Sequence, residues 1–439
     1  MPFDLILHNA TVVTANDAME VIENGFVAVK DGAIAAIGPL SEKDPLPAGK
    51  ERIDAGGGVV MPGLVNAHTH LPMTLFRGLA DDLPLERWLH EVMFPAEATH
   101  IDPDSARCGA LLACAEMLLS GTTCCCDGYF HADCVAEAVD KAGMRAVIGQ
   151  GVIDFPAPGV PDPKKNVRHA ATFVDQWKGR SERILPSIFC HSPYTCSAET
   201  LRAAAATARE RGGLFQIHVS ETAQEVQQSL KQHGQRPVPY LDGLGLLGEN
   251  CLAVHCVWVD EEEIQTLAAR RTAVAHCPSS NMKLGSGVAP VVPMGDAGVV
   301  LGMGTDGCAS NNTLDMFREM NTAAKLHKVH RLDPTATDAE TVLGMATIGS
   351  ARAMGLGDRI GSIEVGKRAD LIVIDTTAPH LTPMYSPVSH AVYAMTGGDV
   401  RDVLVDGRVL VRNRVLLSMD LEKIIADSRG YAQRIVRRG

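Results

Sequence analysis

The stretch Pro62-Gly63-Leu64-Val65-Asn66-Ala67-His68-Thr69-His70 decides the reading of this chain. An apolar run ends in two histidines separated by one residue. On a strand, residues two apart face the same way, so both imidazoles can be aimed at one point. Taken alone, His-x-His is short enough to be a pair of structural or surface histidines. What it means depends on what the rest of the chain builds around that strand end.

Working outward, short β-branched runs alternate with helical stretches, the pattern of βα units around a parallel sheet. Eight runs read as strands: 59–68, 122–126, 146–152, 184–190, 214–219, 252–257, 273–277 and 299–305. Helices are expected at 110–119, 134–142, 198–211, 223–233 and 261–270, where apolar residues recur at helical spacing. Ser197 offers a single cap to the 198–211 helix, with Thr200 rather than Glu three residues on. Eight strands with crossover helices predict an α/β fold, a closed (β/α)8 TIM-like barrel, whose active-site face lies at the strands' carboxyl ends.

The flanks have a different texture. Runs 5–13, 26–29 and 33–37 are alternating, and Asp31-Gly32 between the last two is a hairpin signal. The same texture returns at 369–375, 403–405 and 409–411, with Asp406-Gly407 as the turn. The two β-rich ends can form one sheet domain with the middle inserted. Residues 421–438 read as a terminal helix.

The 439 residues can bury a large core without staples. Lys and Arg total 40 against 52 Asp and Glu, a net charge of -12, which argues against a nucleic acid polymer as partner but not against one small nucleotide-like ligand. No apolar run approaches the ~20 residues that span a bilayer, so no membrane partner is expected. The first residues lack the basic, apolar and small-residue segments of a signal peptide, and a cytoplasmic location is expected. The 12 cysteines are read as free thiols. Cys124-Cys125-Cys126 alternate between strand faces and read as apolar fillers. His327 and His330, on a helix, are expected at the surface.

Three further ionisable residues end other strands: His218 the fifth, His255 the sixth and Asp306 the eighth. One such residue at a strand tip is unremarkable. Several at one barrel face are hard to attribute to packing, because charged groups are rarely buried unless paired or metal-bound. Imidazoles with a carboxylate suit a borderline divalent ion; Zn2+, Fe2+ and Mn2+ are all admissible on ligand type. Such an ion lowers the pKa of a bound water toward about 7. Asp306 is placed to bind the ion and take a proton, Glu221 to protonate a substrate ring, and His255 to hold the attacking oxygen.

Pro62–His70, His218-Val219-Ser220-Glu221, His255 and Thr305-Asp306 together closely resemble the amidohydrolase superfamily. Arg77-Gly78-Leu79-Ala80-Asp81-Asp82-Leu83-Pro84-Leu85, Trp88-Leu89, Pro95-Ala96-Glu97, His191-Ser192-Pro193-Tyr194-Thr195-Cys196-Ser197 and Ser310-Asn311-Asn312 narrow the likeness to the 5'-methylthioadenosine/S-adenosylhomocysteine deaminases, relatives of the triazine hydrolases. The resemblance covers nearly the whole chain. It implies a barrel over 61–360, a small β-sandwich domain built from 1–60 and 361–415, and a C-terminal helix in 416–439.

It also implies the chemistry. His68, His70, His218 and Asp306 bind one zinc ion, while Glu221, His255 and Asp306 handle protons as C6 of adenine is attacked and ammonia leaves. Glu97 grips the ribose hydroxyls, as a carboxylate accepting two donors can. Trp88 either walls the ribose or 5'-substituent or is plain packing. His191 hydrogen-bonds the substrate, and Ser310 is a further candidate. His276 is support rather than a ligand. The fourth strand ends in Cys190-His191, not the lysine that bridges two metals in binuclear relatives, which favours one metal. Where some relatives place two arginines for the carboxylate of S-adenosylhomocysteine, this chain has Gln150 on the strand and Arg168 in the loop. A single clamp weakens carboxylate recognition and ranks methylthioadenosine and adenosine first. The alternative is an aminohydrolase or chlorohydrolase of another heterocycle, a guanine-type base or s-triazine. A homodimer or homotetramer is expected from the resemblance.

Overall fold

The structure, a computed structural model, describes residues 2–41 and 46–438. Eight strands, Leu64–Thr69, Thr122–Tyr129, Arg145–Val152, Ile184–Cys190, Phe215–Val219, Cys251–His255, Ala273–His276 and Leu301–Met303, pair in sequence order. Every ladder between them is parallel. The seam between first and last is bridged differently. Asn66 Nδ2 donates to Thr305 Oγ1 (2.7 Å), and Asn66 Oδ1 accepts the Thr305 N–H (3.1 Å). The Asp306 N–H donates to the His68 carbonyl at 2.9 Å. One buried amide thus stands in for a ladder rung, and the barrel is nearly closed.

The run expected as a single strand over 59–68 is two strands. Val59–Pro62 belongs to a second sheet, and Leu64–Thr69 opens the barrel. The break falls at Gly63, where a Cβ would lie 2.1 Å from Thr123 Oγ1, so only glycine allows the close approach. The eighth strand is shorter than expected. It stops before Gly304, whose absent Cβ would sit 2.7 Å from the His68 backbone nitrogen.

That second sheet is where the expected β-sandwich lies. It is a nine-stranded mixed sheet drawn from both flanks of the barrel. Val59–Pro62 is central, parallel to Phe3–Val13 on one side and antiparallel to Leu371–Ile374 on the other. Both Asp-Gly turns join hairpins, pairing Lys30 with Ala33 and Val405 with Arg408. Asp31, Gly32, Asp406 and Gly407 all have φ between 50° and 74°, the left-handed pair that a two-residue turn requires. Leu5, Leu7, Val27, Ile53, Leu371 and Leu404 meet in one apolar core beneath this sheet.

Helices lie between the barrel strands. Ala198–Arg211 starts where the Thr200 N–H donates to Ser197 Oγ (3.2 Å) and ends at Gly212, φ 68°. Cys124 and Cys126 face the barrel interior, and Cys125 faces the helices. His327 corrects an expectation. It is 2% exposed, and its Nε2 lies 3.0 Å from His276 Nε2. On helix Met316–Arg331 it follows Met320, Ala323 and Ala324 on the buried stripe. His330 is exposed. Among the described residues, no helix is long and apolar enough to cross a membrane.

Candidate active site

The carboxyl ends of the strands surround a cleft. At its floor His68, His70, His218 and Asp306 converge, each offering one donor atom, with all four within 4.8 Å of one another. His68 Nε2 lies 3.1 Å from His218 Nε2 and 3.4 Å from Asp306 Oδ1, and His70 Nε2 is 3.2 Å from the same oxygen. Tetrahedral ligands at about 2.0–2.1 Å from zinc stand about 3.4 Å apart, so these separations fit one divalent ion. The tautomers fit as well. His70 Nδ1 donates to the Gly128 carbonyl (2.6 Å), which leaves a lone pair on the Nε2 facing the cluster. His68 Nδ1 is buried without a hydrogen-bond partner among the described residues.

The electrostatics favour cation binding. Burial pushes the His68 imidazole down to about 4 and holds His218 well below its usual range, so both are neutral donors at pH 7. Burial works against the ionised Asp306, but the His68 and His70 rings beside it outweigh burial and hold it well below the usual carboxylate range. Its Oδ2 accepts the Ser280 and Ser310 hydroxyls at 2.7 and 2.8 Å, and its Oδ1 accepts the Gly307 N–H at 2.7 Å. Phe189 packs beneath the imidazoles, its ring centre 5.1 Å from that of His218.

Glu221 and His255 stand beside the cluster, with His255 Nε2 3.7 Å from Glu221 Oε2. Burial raises the Glu221 carboxyl, favouring its protonated form. His255 Nδ1 bonds Asn281 Oδ1 at 2.9 Å, so its proton is committed there and Nε2 is free to accept. Glu221 is held from behind. Both oxygens of buried Glu225 accept backbone N–H groups, from Ser220 (2.8 Å) and from Glu221 itself (2.7 Å), across a turn in which Ser220 adopts φ 52°.

A cover closes the other side. Leu85–Arg87, Trp88–Met93 and Phe94–His100 run as one helix that widens at Trp88–Met93, just before Pro95, which has no N–H to donate. It turns Leu85, Trp88, Leu89, Met93 and Phe94 into the cleft. Outside, the cover is tied by Lys283 Nζ to Asp81 Oδ1 (2.6 Å), and Gln224 Nε2 to Glu86 Oε2 (2.7 Å). Glu97 projects from it, 5% exposed, and burial pushes its carboxyl up to about 7.

His70, His218, Glu221, His255, Asp306, Glu97, Trp88, His191 and Ser310 all line this one cleft, and His68 lies beneath it. His191 Nδ1 meets the Thr195 and Ser192 hydroxyls at 3.0 and 3.2 Å. Ser310 spends its hydroxyl on Asp306. Gln150 and Arg168 lie apart from this set. Neither lines the cleft. Gln150 Oε1 accepts the Ala132 N–H (3.2 Å), capping a helix whose N-terminus has no side-chain cap of its own. Arg168 is exposed on helix Asn166–Trp177. Among the described residues, no arginine or lysine lines the cleft. Sequence reasoning missed Tyr129, whose hydroxyl donates to Glu97 Oε1 at 2.6 Å. It also missed Glu225, although a glutamate three residues past the helix cap Thr222 is a readable signal.

Known proteins resemble this chain along nearly its whole length. The chain is 48% identical over 433 residues to a protein of Syntrophobacter fumaroxidans named 5-methylthioadenosine/S-adenosylhomocysteine deaminase, covering 98% of each. Among solved structures, an adenosine deaminase from Xanthomonas campestris with bound zinc superposes with a TM-score of 0.97 at 42% identity, covering 99% of both chains. A triazine hydrolase variant gives a TM-score of 0.88 at 25% identity, covering 98% of this chain and 99% of its own. The model of the amidohydrolase family matches residues 59–410. The chain belongs to the amidohydrolase family.

Proposed function

We propose that the protein is a zinc-dependent hydrolytic deaminase of adenine nucleosides. It converts 5'-methylthioadenosine and adenosine to the inosine analogue and ammonia, with S-adenosylhomocysteine the poorer substrate. One observation carries this reading: a single cleft holds the three-histidine, one-aspartate cluster at one end and the buried carboxylate Glu97 at the other, with an apolar wall between.

His68, His70, His218 and Asp306 would hold the ion, which when bound supplies Lewis acidity and lowers the pKa of a water toward about 7. The chain's own groups do the rest. Glu221, whose carboxyl burial raises toward its protonated form, donates a proton to the ring nitrogen next to C6 as water attacks that carbon. His255 Nε2 accepts a hydrogen bond from the attacking water and fixes its approach. Asp306 takes one proton of the water and passes it to the amino group, which departs as ammonia, and the second leaves the C6 hydroxyl as C6 becomes a carbonyl and restores Glu221. Glu97 accepts the ribose hydroxyls, and His191 bonds the substrate beside the floor. The cover's leucines, Trp88 and Phe94 enclose an uncharged 5'-substituent. The amino-acid end of S-adenosylhomocysteine finds no cation there among the described residues, and a buried unpaired charge is costly.

We place the catalytic unit at 61–360, the sheet domain at 1–60 and 361–415, and the tail at 416–439, in a cytoplasmic homodimer or homotetramer. Ammonia release from zinc-loaded protein tests the activity, with methylthioadenosine, adenosine, S-adenosylhomocysteine, guanine and melamine run side by side. Fast turnover of methylthioadenosine with slow S-adenosylhomocysteine is expected. Turnover of guanine or melamine alone would overturn the nucleoside reading and leave the hydrolytic one. Glu221→Gln is expected to lose at least about 100-fold in kcat, the range of a general acid. Near-full activity would remove its proton-donor role.

A further inference from the structure

We propose that Tyr129 is a positioning residue that makes the enzyme select the 2',3'-diol of its substrate, acting through Glu97. The inference rests on the reading of Glu97 as the acceptor of the sugar hydroxyls. Tyr129 is 4% exposed and Glu97 5%, and the phenol donates to Glu97 Oε1 at 2.6 Å. The two come from different parts of the molecule. Glu97 rides on the cover, whose ties at Asp81 and Glu86 are exposed. Tyr129 ends a barrel strand in which every residue is buried.

The residue before it serves the opposite end of the cleft, because the Gly128 carbonyl accepts from His70 Nδ1 at 2.6 Å. Two consecutive residues of one strand therefore grip the two ends of the cleft, His70 through Gly128 and Glu97 through Tyr129. The spacing between the reacting carbon and the sugar is referred to a single rigid element.

A carboxylate has about four lone-pair sites. Tyr129 takes one on Oε1 and stops the carboxylate turning about its last torsion, which is otherwise broad. The remaining sites then face the cleft at a fixed angle, as two neighbouring hydroxyls require. Without the phenol, Glu97 still reaches the sugar but pays to order itself each time a substrate binds. A substrate with no hydroxyls at these positions gains nothing from that order.

The test compares kcat/KM for adenosine and for 2',3'-dideoxyadenosine in the zinc-loaded wild type, Tyr129→Phe, Glu97→Ala and the double variant. The ratio of the two substrates is expected to fall about tenfold in Tyr129→Phe, the worth of one hydrogen bond to a charged group. It should fall further in Glu97→Ala, and no further again in the double variant. Equal losses on both substrates in Tyr129→Phe, or losses that add in the double variant, would overturn the inference by showing plain packing. If Glu97→Ala leaves the ratio unchanged, the reading of Glu97 itself fails. If Glu97→Ala collapses the ratio and Tyr129→Phe does not, only the inference fails. Tyr129→Met, which also drops the hydroxyl, serves the same comparison if the phenylalanine variant does not fold.

Discussion

The two ends of the barrel bury charge in opposite ways. At the amino ends of the strands, fully buried Arg145 donates through Nε and Nη2 to the two oxygens of Asp370, at 2.7 and 3.1 Å, and through Nη2 to Asp406 Oδ1 at 2.5 Å. Arg368 donates to the same Asp406 oxygen at 2.6 Å. Two cations face two anions, and the group ties the barrel to the second sheet. At the carboxyl ends, one anion, Asp306, faces three imidazoles of which two are held neutral. The first set is complete within the chain. The second is arranged for something that comes to it. Buried charge that completes itself holds a fold, whereas buried donors whose lone pairs converge are organised for a ligand.

Substitutions should separate the two ends. Asp306→Asn is expected to lower kcat/KM by about 10³- to 10⁴-fold, because it removes an ion ligand and a proton carrier together. A variant keeping a tenth of wild-type kcat/KM after zinc loading would erase the distinction. Arg145→Ala should leave kcat/KM per folded molecule within about twofold but cost about 3–5 kcal/mol of stability, since two carboxylates lose a buried partner. Urea denaturation measures this, and an unchanged midpoint would mean that the ion group contributes nothing to holding the sheet on the barrel.

The smallest effect concerns pH. The Glu97 carboxyl titrates near 7, so it is ionised above that pH and carries a proton below it. The protonated form accepts less well, and KM for adenosine should rise about tenfold from pH 8 to pH 6. KM for 2',3'-dideoxyadenosine should show no such rise, and a parallel rise for both would locate the titration elsewhere.

Much of this was legible in the sequence where local rules decide. Helices Ala198–Arg211, Ala223–His233 and Glu261–Arg270 begin and end where expected, because Ser197, Thr222 and Asp260 cap their starts and the chain leaves each in a left-handed residue. The ionisable residues at strand tips came from strand periodicity alone. What was not legible depends on which way a side chain turns or how closely two backbones meet. Gln150 sits on a barrel strand, but its amide turns to a helix terminus. The break at Gly63 is set by Thr123, sixty residues later, and Tyr129 has no motif around it. The cover helix carries a proline and a widened turn, which blur its period.

The split at Gly63 also sets an order of assembly. Val59–Pro62 is flanked by Phe3–Val13 on one side and by Leu371–Ile374 on the other. During translation the second neighbour emerges roughly 310 residues after the strand itself, which at about 5–20 residues per second is roughly 15–60 s. For that interval the strand waits with an open edge while the barrel is made. An exposed strand edge is a template for pairing with another chain. This one is four residues long and ends in a proline, so the half-finished sheet offers a nascent neighbour little to grip.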